Sequence, residues 1–403
     1  MKKAKKRLTE AHKPRWNCSR DTRKSMTGSG IKSGEQKKKI SKCAIPMENY
    51  GTFQRGKKTR TIYVGRVPVG GSNPVIVQSM TKTDTTDVKS TVRQIKSLET
   101  LGCEIIRLAV PDMKAAMALC MIKKSIDIPM IADIHFDWRL ALEAIKQGVD
   151  GLRINPGNIG ASWKVKEVII AAKEKGIPIR IGVNAGSLER ELRKKYGHPT
   201  PEALVESAER SIQILEEMDF SNIKVSIKGS DVPTTVGACR LFSEKFDYPL
   251  HIGISEAGPP FTGTIKSSVG LGILLSEGIG DTIRVSLTAE PEEEVRVAYE
   301  ILKSLGLRKK GAEIISCPTC GRCKINLRKI ATEVESRLKG IDKPMKVAVM
   351  GCVVNGPGEA READFGIAGG KGVGILFRKG KVIKRIREKD LLNELMNEIS
   401  SWK

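Results

Sequence analysis

The chain has 403 residues, 40% of them apolar and 4% aromatic, enough for two or three globular domains with ordinary buried cores. Its apolar runs fall far short of the ~20 residues of a membrane-spanning helix and none near the start reads as a signal peptide, so the cytoplasm is the expected compartment. The formal net charge is +24, but residues 1–46 hold 15 of the 70 Lys and Arg and only 3 of the 46 Asp and Glu, half of the excess in a ninth of the chain.

That first segment is rich in Lys, Ser and Gly, without helix or strand periodicity, and is expected to be a disordered basic extension. A solvated tail, or a gene start placed upstream of initiation at Met47, is favoured over an arm for RNA or acidic surfaces. The charge that remains biases the folded body toward anionic ligands.

From Pro74 onward one unit repeats: a short β-rich apolar run, a polar or glycine turn, and an amphipathic helix. Strands are expected at 74–80, 104–110, 129–136, 151–156, 177–184, 223–230, 250–258 and 282–288. Eight such units predict a parallel (β/α)8 TIM barrel over 47–311 rather than a doubly wound sheet. Gly102, Gly148, Gly176, Gly278 and Gly306 are expected to end helices in left-handed conformations. After Gly311 the register becomes α+β over 312–403: a strand, a helix from about Lys324, a strand, a glycine-rich loop, a hairpin and a final helix. The fold class is α/β, a barrel followed by a smaller domain.

A barrel of this kind carries its site at the C-terminal ends of its strands. The polar residues there are Gln78, Ser79, Arg107, Asp133, His135, Arg153, Asn155, Arg180, Asn184, Lys228, His251, Glu256, Arg284 and Ser286. Any single one can face solvent or pair within the barrel. Taken together, Arg107, Arg153, Arg180, Lys228 and Arg284 recur on five strands, where an unpaired buried cation costs several kcal/mol and demands an anion. Asp133 and Glu256 are the carboxylates of that layer, so a net positive mouth remains, suited to a small phosphorylated or diphosphorylated ligand. The turn NPGNIG (155–160), at a helix start, adds backbone donors, a weak signal alone.

The second domain carries SCPTCGRC (316–323) and GCVVNGPGE (351–359). Cys317, Cys320, Cys323 and Cys352 supply four thiols, as a zinc site wants, but the second C-x-x-C knuckle of a zinc ribbon is missing. The run C-x-x-C-x-x-C is similar to that of ferredoxins, which favours a [4Fe-4S] cluster and leaves zinc open.

The motifs VQSMTKTDT (77–85), ADIHF (132–136), RINPGNIG (153–160), IRIGVNAGSL (179–188), HIGISEAG (251–258), SCPTCGR (316–322) and GCVVNGPGEA (351–360) run in order through both domains. Together they resemble the 4-hydroxy-3-methylbut-2-enyl diphosphate synthases of the methylerythritol phosphate route to isoprenoids, in their two-domain bacterial form. The resemblance begins at about Thr59 and continues to the C-terminus.

It implies a nitrite/sulfite reductase-like C-terminal domain whose [4Fe-4S] cluster is held by Cys317, Cys320, Cys352 and Glu359, with Cys323 outside the ligand set. A carboxylate is a harder and weaker ligand than thiolate and can yield its iron to a substrate oxygen. The implied reaction is the two-electron ring opening and dehydration of 2-C-methyl-D-erythritol 2,4-cyclodiphosphate. Arg107, Arg153, Arg180, Lys228 and Arg284 would clamp the cyclic diphosphate, with Asn184 and Ser286 as neutral donors. Asn355 would orient the substrate and Glu256 would protonate the leaving oxygen. The resemblance further implies flavodoxin or ferredoxin as electron donor and a head-to-tail homodimer in which one barrel faces the partner's cluster domain. No nucleic-acid or membrane partner is expected. The sequence departs from the family pattern at Lys82, where Asn is usual, and in the extension before Met47. A nucleic-acid-binding protein with a zinc knuckle would account for the charge, but 4% aromatics is too few for a stacking platform; a zinc-dependent barrel hydrolase is a third reading.

Overall fold

A computed structural model describes residues 58–353, 358 and 360–402; the basic extension, Asn355 and Glu359 lie outside the described residues. The first element is a hairpin of β1 (Ile62–Val64) and β2 (Val67–Val69). The parallel strands follow: β3 (Ile76–Met80), β4 (Ile105–Ala109), β5 (Met130–Asp133), β6 (Gly151–Ile154), β7 (Ile179–Asn184), β8 (Ile223–Lys228), β9 (His251–Ile252) and β10 (Thr282–Ile283). Between and after them run α1 (Val88–Thr100), α2 (Met113–Lys123), α3 (Trp138–Lys146), α4 (Pro156–Ile159), α5 (Ser162–Lys175), α6 (Arg190–Tyr196), α7 (Pro201–Glu216), α8 (Val232–Lys245), α9 (Pro260–Ser276) and α10 (Pro291–Ser304). The strand order is β8-β7-β6-β5-β4-β3-β10-β9, and a parallel bridge between Val225 and Leu250 joins β8 to β9 and closes the ring. This is the TIM barrel that the repeat predicts.

Period-two alternation decides which side chains enter the barrel. On β7 and β8, Ile179, Ile181, Val183, Ile223, Val225 and Ile227 pack with the surrounding helices in one large core. Their neighbours Arg180, Asn184, Lys224 and Lys228 take the opposite side and point into the lumen. Aspartates start several helices directly after a strand: Asp112 accepts from Ala115 N–H at 2.8 Å and Asp231 from Thr234 N–H at 2.8 Å, caps worth about 1 kcal/mol each. The five glycines expected at helix exits all have positive φ, between 65° and 90°.

Two expectations need correction. The last two strands are far shorter than 250–258 and 282–288, so Glu256, Arg284 and Ser286 stand in loops beyond the strand ends. At Gly253 the two segments approach closely: a Cβ there would lie 2.4 Å from the Arg284 carbonyl oxygen, so the position takes glycine. The β1–β2 hairpin was not anticipated, because its strands are three residues long and one contains Pro68. It packs Ile62, Val64 and Val69 against Ile76, Ile105 and Ile131 and so closes the N-terminal end of the barrel.

The second domain is a five-stranded sheet in the order β11 (Ala312–Ser316), β12 (Met345–Met350), β13 (Phe365–Ala368), β14 (Val373–Arg378), β15 (Lys381–Arg387). The first three strands are parallel and the last two antiparallel. Strand β13 falls within what reads as a glycine-rich loop, since four residues between glycines and a turn show no usable period. Helix α11 (Leu327–Leu338) and the C-terminal helix Leu391–Ser401 pack on one face through Leu327, Val334, Leu338, Leu391, Leu395 and Ile399. Among the described residues no helix is long and apolar enough to cross a membrane.

Candidate active site

Strand register brings the barrel's charges side by side. Asp133 on β5 is opposite Arg153 on β6, Arg153 is opposite Arg180 on β7, and Arg180 is opposite Lys224 on β8; Asn184 is opposite Lys228 two steps nearer the mouth. The Asp133 carboxylate meets Arg153 Nη1 at 3.2 Å and Arg107 Nε at 3.4 Å, and is 3.6 Å from His135 Nε2. Burial on its own would raise the Asp133 carboxyl, but Arg107, Arg153 and Arg180 outweigh it and hold the group below the usual carboxylate range.

The cations are short of partners. Arg153 Nε, Arg180 Nε and Nη1, Lys224 Nζ and Arg284 Nε are buried without a hydrogen-bond partner among the described residues, as are both amide atoms of Gln78 and Nε2 of His251. The other His251 nitrogen, Nδ1, is 2.7 Å from Thr282 Oγ1. Burial, followed by the repulsion of Arg107 and Arg153, pushes the Arg180 guanidinium well below its ordinary range, and burial with Arg180 and Arg284 does the same to Lys228. Such a cluster is stabilised by any anion that enters it.

A cleft of about 1000 Å³ opens above these charges, with Arg153, Asn184, Lys228, Glu256, Arg284 and Ser286 on its wall. Arg107 and Arg180 sit behind that wall, 12% and 2% exposed. Glu256 occupies a turn with φ 52°, held at the rim. The turn at 155–160 contributes less than expected: Asn155 Oδ1 accepts from Gly157 N–H at 3.1 Å to start the one-turn helix α4, which uses that donor within the loop. The arrangement can bind a compact polyanion and offer it N–H donors from several directions, with one carboxylate at the edge for proton transfer.

In the second domain, β11 and β12 run parallel with Ser316 opposite Val349, so Cys317 and the Gly351–Cys352 pair leave the sheet side by side. Gly351 N–H donates to Cys317 Sγ at 3.3 Å. A Cβ at Gly351 would stand 2.6 Å from Cys323 Sγ and 3.3 Å from Cys317 Sγ, so this glycine leaves a cradle that sulfurs occupy. Helix α11 begins at Leu327, three residues later than expected, and Cys323 stays in the loop with its sulfur beside this cradle. Cys320 is exposed, and backbone N–H donation from Arg322 lowers its thiol, which favours thiolate. Among the described residues no three metal-ligating side chains converge on one point. The donor chemistry nonetheless fits an iron–sulfur cluster: two soft thiols of one loop, Cys317 and Cys323, flank Gly351, the residue before Cys352 at the neighbouring strand end.

A family model described as the GcpE TIM-barrel domain matches residues 59–299, and one described as the GcpE protein C-terminal domain matches residues 313–401. The chain belongs to the GcpE family. A relative from Thermodesulfovibrio yellowstonii, named 4-hydroxy-3-methylbut-2-en-1-yl diphosphate synthase (flavodoxin), is 67% identical over 85% of this chain and 98% of its own. Proteins of the same name from Geobacter sulfurreducens and Caldanaerobacter subterraneus subsp. tengcongensis are 63% and 61% identical, each over 85% of this chain and 97% of their own. The family that the motifs resemble is the one these names carry.

Sequence reasoning missed three members of this charged cluster. Glu294 reads as an ordinary acidic residue in the first turn of α10, yet it is 2% exposed, meets Arg284 Nη2 at 3.4 Å and Lys82 Nζ at 3.2 Å, and accepts from Leu287 N–H at 3.1 Å. Lys82, the departure from the family pattern, therefore reaches the cleft and shares its carboxylate with Arg284. Lys224 was detectable, since it alternates with Lys228 along β8 and so must face the same way.

Proposed function

We propose that this protein carries out the reductive ring opening and dehydration of 2-C-methyl-D-erythritol 2,4-cyclodiphosphate to (E)-4-hydroxy-3-methylbut-2-enyl diphosphate. The observation that carries the reading is the set of buried guanidinium and ammonium nitrogens on consecutive strands beneath the cleft that have no hydrogen-bond partner among the described residues, which calls for a ligand of several negative charges close together. Arg153, Lys228 and Arg284 bind the diphosphate from the wall, Arg107 and Arg180 from behind it, and Asn184 and Ser286 donate as neutral groups. Glu256 protonates the oxygen that departs as water. Asn355 orients the substrate. Asp133 and Glu294 hold the arginine forks in place without cancelling the net positive charge.

Cys317, Cys320 and Cys352, with Glu359 as fourth ligand, would hold a [4Fe-4S] cluster. When bound, that group supplies single electrons and a Lewis-acidic iron. The electron donor is a flavodoxin, the carrier in the relatives' names. The link between the domains supports a site made by two chains. Arg308 donates through Nη1 to Val75 O at 2.8 Å and through Nη2 to Glu104 Oε1 at 3.0 Å, while Lys310 Nζ donates to Leu101 O at 2.9 Å. These partners lie at the N-terminal end of the barrel strands, so the chain departs for the second domain from the end opposite the cleft. A homodimer in which each barrel faces the partner's cluster domain meets this constraint.

The reading is tested with protein purified without oxygen. Iron and sulfide in equal amounts, and conversion of the cyclodiphosphate to the linear diphosphate with reduced viologen, are the expected results. Bound zinc in place of iron, or a full cluster with no turnover, would overturn it.

A further inference from the structure

The β14–β15 hairpin of the second domain is strongly cationic. Arg378, Lys379, Lys381, Lys384, Arg385 and Arg387 are all exposed, as is Lys371 just before it. Arg378, Lys384 and Arg387 pair with Glu398, Glu394 and Asp390 at 4.0, 2.8 and 2.8 Å. Among the described residues, Lys371, Lys379, Lys381 and Arg385 have no carboxylate within ion-pair distance. Lysines on an edge strand also discourage unwanted strand pairing, which accounts for part of this charge but not for the apolar side chains beside it.

Register separates the two faces of the hairpin. Gly374 is opposite Ile386 and Leu376 opposite Lys384, and Leu376 and Ile386 pack on the C-terminal helix. Val373 is opposite Arg387, Ile375 opposite Arg385 and Phe377 opposite Val382, on the other face. There Phe377 is buried with Ala360 and Ala363 and Ile375 packs beside it, so the exposed apolar side chains stand at the two ends, Val373 at 50% and Val382, near the turn, at 55%. The Val373 end lies beside the cysteine loop: Gly369 N–H donates to Met350 O at 2.8 Å, and a Cβ at Gly370 would stand 3.9 Å from Val353 Cγ1. Val353, which follows Cys352, is itself 44% exposed. An apolar centre next to the cysteines, rimmed by Lys371, Arg385 and Arg387, results.

We infer that this face is the docking surface for an acidic, flavin-bearing electron-carrier protein. Small apolar centres with charged rims suit brief encounters, in which opposite charge raises the association rate and the contact stays small enough to release. Each encounter oxidises the carrier's flavin by one electron and reduces the acceptor held by the neighbouring cysteines, so two encounters serve one turnover. The inference rests on the proposed reaction for its need of electrons, and on the hairpin alone for where they enter.

The test uses the full-length, cluster-loaded protein and the doubly charge-reversed variant Lys371→Glu/Arg385→Glu, with purified flavodoxin as probe. Binding is measured by titration calorimetry across a range of ionic strength, and turnover is measured separately with flavodoxin and with reduced viologen. The variant should bind flavodoxin at least about tenfold more weakly, with a flatter salt dependence, and retain viologen-driven turnover. Equal affinity and equal salt dependence in the two proteins would overturn the inference. So would a fall in mass by sedimentation, because the face would then lie between copies of the chain. A wild type that binds flavodoxin through this face but converts no cyclodiphosphate would sink the proposed reaction and leave the docking surface standing.

Discussion

Asp133 holds Arg153 and Arg107 from opposite oxygens, Oδ1 at 3.2 Å from Arg153 Nη1 and Oδ2 at 3.4 Å from Arg107 Nε. One buried carboxylate thus fixes two cations of the proposed diphosphate site. Asp133→Asn keeps the shape and leaves both guanidiniums uncompensated, so it should cost about 3–5 kcal/mol of stability. Pyrophosphate should restore part of that loss by supplying the missing negative charge. Thermal unfolding with and without pyrophosphate checks both; an unchanged midpoint would mean that the carboxylate does not carry the cluster.

Arg180→Ala and Lys228→Ala each remove a charge-assisted hydrogen bond to the ligand, worth about 1.5–3 kcal/mol, and should raise KM for the cyclodiphosphate roughly 10- to 100-fold. Iron content should not change. Variants that bind the cyclodiphosphate normally and lose iron would move these residues out of the barrel-mouth site.

Burial and the neighbouring Arg180 bring the Lys224 ammonium down from 10.5 to about 7. Between about pH 7 and 10.5 the unfolded chain therefore binds more protons than the folded one, and this group's contribution to stability rises with pH across that window. Below it both states are charged and the cost of the buried cation is present in full. Lys224→Met should raise Tm most near pH 6 and progressively less toward pH 10; a gain that is flat with pH would show that the ammonium is not isolated.

Gly351→Ala places a methyl group 2.6 Å from Cys323 Sγ and 3.3 Å from Cys317 Sγ, so it should displace the cysteine loop and lower iron content sharply. Cys323→Ser should keep a full cluster and most activity, since three thiolates and Glu359 suffice, whereas Glu359→Ala should lose turnover. Iron analysis and electron paramagnetic resonance of the reduced protein decide the ligand set. A cluster-free Cys323→Ser beside a fully active Glu359→Ala would exchange the roles of these two residues.

The barrel was legible in the sequence because eight apolar runs alternate with amphipathic helices and one strand period sends Arg153, Arg180 and Lys228 to the lumen. The cationic mouth followed from the same period, and the cysteine motifs stood out through their spacing. What tertiary structure alone decided is pairing and proximity. Glu294 becomes the partner of Arg284 and Lys82 only when α10 returns across the barrel, and the β1–β2 hairpin becomes a lid on the barrel floor only against Ile76, Ile105 and Ile131. Cys323 lies beside Cys317 because α11 starts late and Gly351 leaves room for a sulfur. Local pattern fixes which way a side chain points along its own strand; which distant group it meets depends on chain closure, and no short-range period records that.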